Sequence, residues 1–187
     1  MDIYLASGSP RRRTLLENAG FHVHIIQASI CEDPIENESP EDLVKRLAQE
    51  KVQAAFSKAM HPWLIVGGDT IVELEGEILC KPSSREDAID MLQKLSGKCH
   101  RVLSGYCVGT AEKIVYGICE TKVAFRVLSR KEIIQYVDLE KPFDKSGSYA
   151  IQSDAIGFVD KVVGSLTSVV GLPLREVIDA IEQLQNG

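Results

Sequence analysis

Apolar residues recur along this chain at two spacings, every second position and every three to four positions, so strands and helices are both expected. Ile3-Tyr4-Leu5-Ala6 predicts a short buried strand. Pro10 then opens a helix whose apolar side is Leu15, Leu16 and Ala19, with Gly20 at its end. Phe21 to Ile26 predicts a second strand with His22 and His24 on its solvated face. Ser39-Pro40 starts a long helix carrying Leu43, Leu47, Ala48, Val52, Ala55 and Ala59 at helical spacing. Trp63 to Val66 predicts a strand that ends at "GGDT", and Ile71–Leu74 and Glu77–Leu79 flank a hairpin turn at Glu75-Gly76. Ser83-x-x-Glu86 predicts a capping box for a helix bearing Ala88, Met91, Leu92 and Leu95 and closed by Gly97. Strands are predicted over 100–109 and 114–128. A second capping box, Ser129-x-x-Glu132, then opens a short helix through Val137. After the loop "EKPFDKSGSYAIQ", a strand is predicted near 156–163 and a last helix after Pro173, with Leu174, Val177, Ile178, Ile181 and Leu184. Early alternation with a strand-rich middle indicates an α/β fold with a mixed sheet.

The 187 residues, 44% hydrophobic and 26% charged, fit one domain or one domain of two lobes. A net charge of −6 argues against a nucleic acid polymer as partner, since that usually needs a broad basic face. It leaves room for a small anion in a local basic pocket. No apolar run has the length of a membrane span, and the opening residues carry no secretory leader, so a cytoplasmic location without membrane partners is expected. Five cysteines with no C-x-x-C pair suggest neither a disulfide framework nor a zinc knuckle; most are expected to be reduced and partly buried.

Against that acidic background, "SGSPRRR" at a strand-to-helix corner is a local cationic feature. Free N–H groups at a helix start attract anions, and Arg11 and Arg12 add forks that match phosphate oxygens. Successive helical residues turn by about 100°, so Arg13 is expected to point to solvent when Arg12 points inward. With one glycine and no G-K-[ST], the corner is neither a P-loop nor a dinucleotide fingerprint. "VGGDT" sets Asp69 just past a strand, beside two glycines that would let backbone approach a ligand. Such an aspartate can hold a divalent cation or take a proton from water; alternatively, it bonds its own turn. A dehalogenase-type phosphatase is excluded, because its D-x-D would need aspartate where Gly67 stands. Lys51, Lys81 and Lys145 form a further candidate set, each unremarkable on its own. In "DKSGSYAIQ", Ser146, Gly147 and Ser148 offer donors and Gln152 an amide suited to a base edge. Glu32 and Asp33, in the acidic loop "CEDPIENE", would pair with Asp69 as an oxygen-rich site for magnesium or manganese; alternatively, the loop is simply solvated.

Together, "LASGSPRR", "LAQEK", "GGDT", "KP" followed by "MLQKLSG", "DKSGSYAIQ" and "VVGLPL" resemble, in order and spacing, the Maf family of nucleoside triphosphate pyrophosphatases. The resemblance runs from Leu5 to about Leu174. It implies an elongated α/β domain spanning 1–187, with a central mixed sheet, helices on its faces and a cleft between two lobes, similar to the inosine triphosphate pyrophosphatases. It implies metal-dependent hydrolysis of a nucleoside triphosphate to monophosphate and pyrophosphate. It also implies a role in nucleotide-pool housekeeping with a link to cell-division arrest, and a homodimer. By matching position, Asp69 corresponds to the family's proton acceptor. Arg12, Thr70 and Gln152 match specificity positions, and Ser7, Arg11, Lys51, Lys81 and Glu32 match residues that hold phosphates or metal. Thr70 and the "DKSGSYAIQ" form resemble the branch acting on dTTP and UTP, with modified pyrimidine nucleotides as a further class. Two departures, Gly164-Ser165-Leu166-Thr167-Ser168 in place of aromatics and Ser153 in place of glycine, fall near the base-binding end. The alternatives are a 7-methyl-GTP pyrophosphatase and a non-catalytic nucleotide-binding division regulator.

Overall fold

A computed structural model describes residues 1–58, 64–153 and 157–186. The elements run β1 (Asp2–Leu5), α1 (Pro10–Asn18), β2 (His22–Ile25), α2 (Pro40–Phe56), β3 (Ile65–Leu74), β4 (Glu77–Leu79), α3 (Arg85–Leu95), β5 (Cys99–Gly109), β6 (Ile114–Phe125), α4 (Arg130–Glu140), a 3-10 turn (Ser146–Ser148), β7 (Val159–Val163), α5 (Leu166–Val170) and α6 (Leu174–Asn186). The expected helical Ala59 and the strand starts at Trp63 and near Ile156 lie outside the described residues. Seven strands form one sheet in the order β2-β1-β3-β5-β6-β7, with β4 paired to β3. β1 is parallel to β2 and β3, whereas β3/β4 and β6/β7 are antiparallel, so the sheet is mixed as expected.

The chain divides into two compact units. The first comprises Met1–Thr70, Ser104–Cys119 and Gly171–Gly187. Its strands alternate cleanly between faces. Ile3, Leu5, Leu64, Val66 and Val108 pack with Leu16, Leu172, Val177 and Ile181, so α1 and α6 cover one face. Ala6, Ile65 and Cys107 pack with Ala48, Val52 and Ala55, so α2 covers the other. Ser39 caps α2 by accepting from the Asp42 N–H, with Pro40 in the first turn and Glu41 and Asp42 favouring the positive end of the helix dipole.

The second unit comprises Ile71–Leu103 and Glu120–Val170. Its α3 contacts α4 and the Ser146–Ser148 turn. His100, Phe125 and Tyr149 meet edge to face, and Phe158 joins them through Phe125 and Tyr136. The Ser129–Glu132 capping box is complete in both directions. That at Ser83 is shifted by one: Ser84 is the cap, accepting from Asp87 N–H, while Ser83 bonds the Asp87 carboxylate. Two short segments were not anticipated, α5 and the 3-10 turn, both too brief to show a helical period.

The cysteines depart from expectation. Cys31, Cys80 and Cys99 are exposed, Cys119 is half-buried and Cys107 alone is buried, where loss of solvent pushes its thiol up to about 12. All are free thiols. No described helix is long and apolar enough to cross a membrane.

Candidate active site

β3 decides the geometry. Rather than stopping before "GGDT", it runs unbroken from Ile65 to Leu74, and Asp69 and Thr70 sit mid-strand. Gly67 and Gly68 are needed for packing. A Cβ on Gly67 would stand 2.6 Å from the Ala48 carbonyl oxygen and 2.7 Å from Val52 Cγ2. One on Gly68 would stand 3.0 Å from Leu172 Cδ1 and 3.2 Å from the Gly105 carbonyl oxygen. On the neighbouring strand, a Cβ on Gly105 would fall 2.0 Å from the Val44 carbonyl oxygen. Gly67 and Gly105 thus form a bare patch on which α2 lies unusually low.

That close seating brings Lys51 of α2 to Asp69. Lys51 Nζ is 2.6 Å from Asp69 Oδ1 and 2.6 Å from Glu32 Oε1. The Lys51 side chain is 7% exposed and that of Asp69 13%, whereas Glu32 is 47% exposed. A buried ammonium is costly unless paired, and two carboxylates from separate segments pair this one.

Beside this trio lies a second knot. Arg12 is buried, and its Nε donates to the Gly171 carbonyl at 2.7 Å, Nη1 to Ser7 Oγ at 3.0 Å and Nη2 to Thr70 Oγ1 at 3.4 Å. Thr70 Oγ1 in turn donates to the Gly171 carbonyl at 3.1 Å and lies 2.8 Å from Ser104 Oγ. Burial lowers the Arg12 pKa from the usual arginine value; Asp69 raises it, Arg11 lowers it and Glu32 raises it. Those charges therefore share one electrostatic neighbourhood. The three arginines part company: Arg12 turns inward, Arg11 is half-buried, and Arg13 pairs with Glu17 at 2.7 Å on the surface. Ser9 makes no side-chain cap at the start of α1.

Of the predicted site residues, Ser7, Arg11, Arg12, Glu32, Lys51, Asp69 and Thr70 belong to the first unit and are gathered there. Asp33 is exposed in the acidic loop. Lys81, Lys145 and Gln152 belong to the second unit. There, Gly147 N–H donates to the Cys80 carbonyl at 3.3 Å, which ties the Lys81 segment to the Lys145 segment. Lys145 bonds the Asp144 carboxylate at 2.6 Å, and Gln152 is exposed. The donors expected of Gly147 and Ser148 are spent internally: Ser148 N–H goes to the Lys145 carbonyl and Ser148 Oγ to Met91 Sδ. Gly147, at φ +67, is pressed against Val72, so this turn needs glycine for backbone reasons.

The chain matches the Maf-like protein family over residues 2–184. It belongs to the Maf family. The relatives of this Maf chain include a dTTP/UTP pyrophosphatase of Citrifermentans bemidjiense, 46% identical over 96% of this chain and 93% of that one. That of Geobacter sulfurreducens is 44% identical over 97% and 96%, and that of Escherichia coli 41% identical over 96% and 91%. Among solved structures, the Staphylococcus aureus Ham1 protein overlaps 67% of this chain and 72% of its own at TM-score 0.46 and 17% identity, too distant to say more.

Ser104 and Gly105 escaped the sequence reading, and Gly171 entered it only as part of a motif, although all three shape this Maf site. Gly105 carried a usable signal, because glycine inside a strand marks close backbone approach. Gly171, in "VVGLPL" and at φ +135, meets Arg12 and Thr70 through its carbonyl, a contact that no side-chain pattern reveals. As for a metal, no group of three or more His, Cys, Asp or Glu forms a cage among the described residues. Glu32 and Asp69 nevertheless converge on one cation, Lys51. Two carboxylates completed by substrate phosphate oxygens and water suit magnesium, which seldom occupies an all-protein cage. The donor set fits a divalent ion arriving with a triphosphate.

Proposed function

We propose that this protein hydrolyses dTTP and UTP to the monophosphate and pyrophosphate. The observation that carries this reading is the full-length likeness, 41% to 47% identical, to relatives named dTTP/UTP pyrophosphatase. Thr70 after the central aspartate and Gln152 in the later loop support the pyrimidine branch. Balanced chemistry is simple. A water oxygen bonds to the α-phosphorus as the bond from that phosphorus to the bridging oxygen breaks, and pyrophosphate leaves with the electron pair.

In this reading Asp69 orients the water and takes its proton. Lys51 fixes one carboxylate oxygen, and the carboxylate retains further lone pairs to aim at water. Glu32 and Asp69 would hold magnesium or manganese, which when bound supplies charge neutralisation over the phosphate oxygens. Arg12 holds Ser7 and Thr70 in register at the base of the site, and Arg11 is the arginine assigned to phosphate oxygens. Lys81, Lys145 and Gln152 are assigned as substrate contacts on their sequence motifs alone. A homodimeric, cytoplasmic housekeeping enzyme acting on no nucleic acid polymer completes the reading.

The test is a panel of nucleoside triphosphates, 7-methyl-GTP included, assayed for pyrophosphate with magnesium and then manganese. Release from dTTP and UTP well above the purines is expected. Preference for 7-methyl-GTP would overturn the base assignment, and ligand-dependent stabilisation without pyrophosphate release would overturn the reaction.

A further inference from the structure

Glu32 stands in a long irregular segment between β2 and α2, and a segment without regular hydrogen bonding opens easily unless something ties it down. Its half-exposed pairing with Lys51 is a weak tether, since ion pairs in contact with water contribute little. The stronger tie comes from Arg46 of α2. Its Nε and Nη2 grip the Glu38 carboxylate at 2.6 and 2.8 Å in a bidentate fork. Nη2 also donates to the Asp33 carbonyl at 3.1 Å, one residue beyond Glu32. Nη1 meets both oxygens of Glu50 at 3.2 and 3.3 Å, which fixes the guanidinium to its own helix. Glu38 closes the loop upon itself: it accepts from the Ile35 N–H at 3.1 Å and donates its own N–H to the Ile35 carbonyl at 3.0 Å.

We propose that Arg46 is a positioning residue for the Glu32–Lys51–Asp69 cluster. It is assigned no substrate contact, because Nε, Nη1 and Nη2 all bond the loop or α2. It acts through Glu32: Arg46 and Lys51 project from one helix, the first clamping the loop backbone beside Glu32 and the second meeting its carboxylate. The Arg46 clamp holds the loop backbone at Asp33 while Lys51 holds the Glu32 carboxylate. Lysine cannot substitute, since a single ammonium reproduces neither the fork nor the third bond to the backbone carbonyl.

The catalytic part of this inference rests on the proposed pyrophosphatase reaction; the structural part does not. Two readouts keep them apart. In the protein without metal or nucleotide, Arg46→Ala and Glu38→Gln should each speed amide hydrogen exchange over residues 33–38 by about tenfold or more, with exchange in β1 and β3 unchanged. In dTTP hydrolysis, Arg46→Ala should raise the magnesium concentration for half-maximal rate by about tenfold, and Arg46→Lys should recover little of that loss. On a Glu32→Gln background the same Arg46→Ala change should add less than about twofold, because its effect runs through Glu32. Equal losses on both backgrounds, or unaltered exchange in both single variants, would overturn the proposal. Faster exchange in both variants of a protein whose wild type releases no pyrophosphate would instead sink the reaction while sustaining the clamp.

Discussion

Asp69 and Lys51 can be judged only as a pair. Asp69→Asn keeps the shape but can no longer take a proton or hold a cation, so pyrophosphate release should fall at least about a hundredfold; full turnover with magnesium would remove Asp69 from the mechanism. Lys51→Met fills similar volume without charge. It strands two carboxylates, one of them 13% exposed, beside an apolar side chain. Removing one partner of a buried pair can cost about 3–5 kcal/mol, and water around Glu32 should hold this loss to the lower end. Urea titration reads that loss, and the rate should drop alongside it. A variant as stable and as active as the parent would show that the trio is incidental.

Elements were more legible than contacts. Pro10, Ser39-Pro40 and the Ser129–Glu132 box announce helix starts through local chemistry, and each helix begins where they place it. Ser83 misled by one position because Ser84 offers the same hydroxyl. "GGDT" misled more deeply: paired glycines suggest a turn, yet here they lie within a strand because a helix presses on them. Gly105→Ala and Gly67→Ala should therefore lift α2 and move Lys51 away from Asp69. Overpacking of this kind costs about 1–3 kcal/mol, with Gly105 the worse because its added carbon meets backbone at 2.0 Å. Gly157→Ala, with nothing within 4 Å among the described residues, is the control and should shift stability by no more than about 0.5 kcal/mol. Equal stability of all three would show that α2 does not depend on bare strands.

At the scale of the whole molecule, His100 is a buried group that acid should destabilise. Burial lowers His100 from 6.5 to about 4, its Nε2 lies 2.8 Å from Tyr149 Oη, and its buried Nδ1 has no hydrogen-bond partner among the described residues. Folded His100 stays neutral while the unfolded chain takes up a proton below about 6.5. Its contribution is therefore complete above that pH and is lost as pH falls toward about 4, by up to about 1.4 kcal/mol per pH unit. Urea unfolding of wild type and His100→Gln across this range should give curves that converge on acidification. Parallel curves would clear His100.

By itself the sequence determined the α/β class, most helix starts, the solvated faces of β2 and the set of motifs that mark the family, because periodicity, capping and turn chemistry act over a few residues. It could not tell that Arg12 would spend itself on Gly171, Ser7 and Thr70, that Gly67 and Gly105 would seat a helix, or that Arg46 would clamp the loop carrying Glu32. Those outcomes were decided by the tertiary structure alone, since each joins groups remote along the chain whose partners exist only once strands and helices have packed.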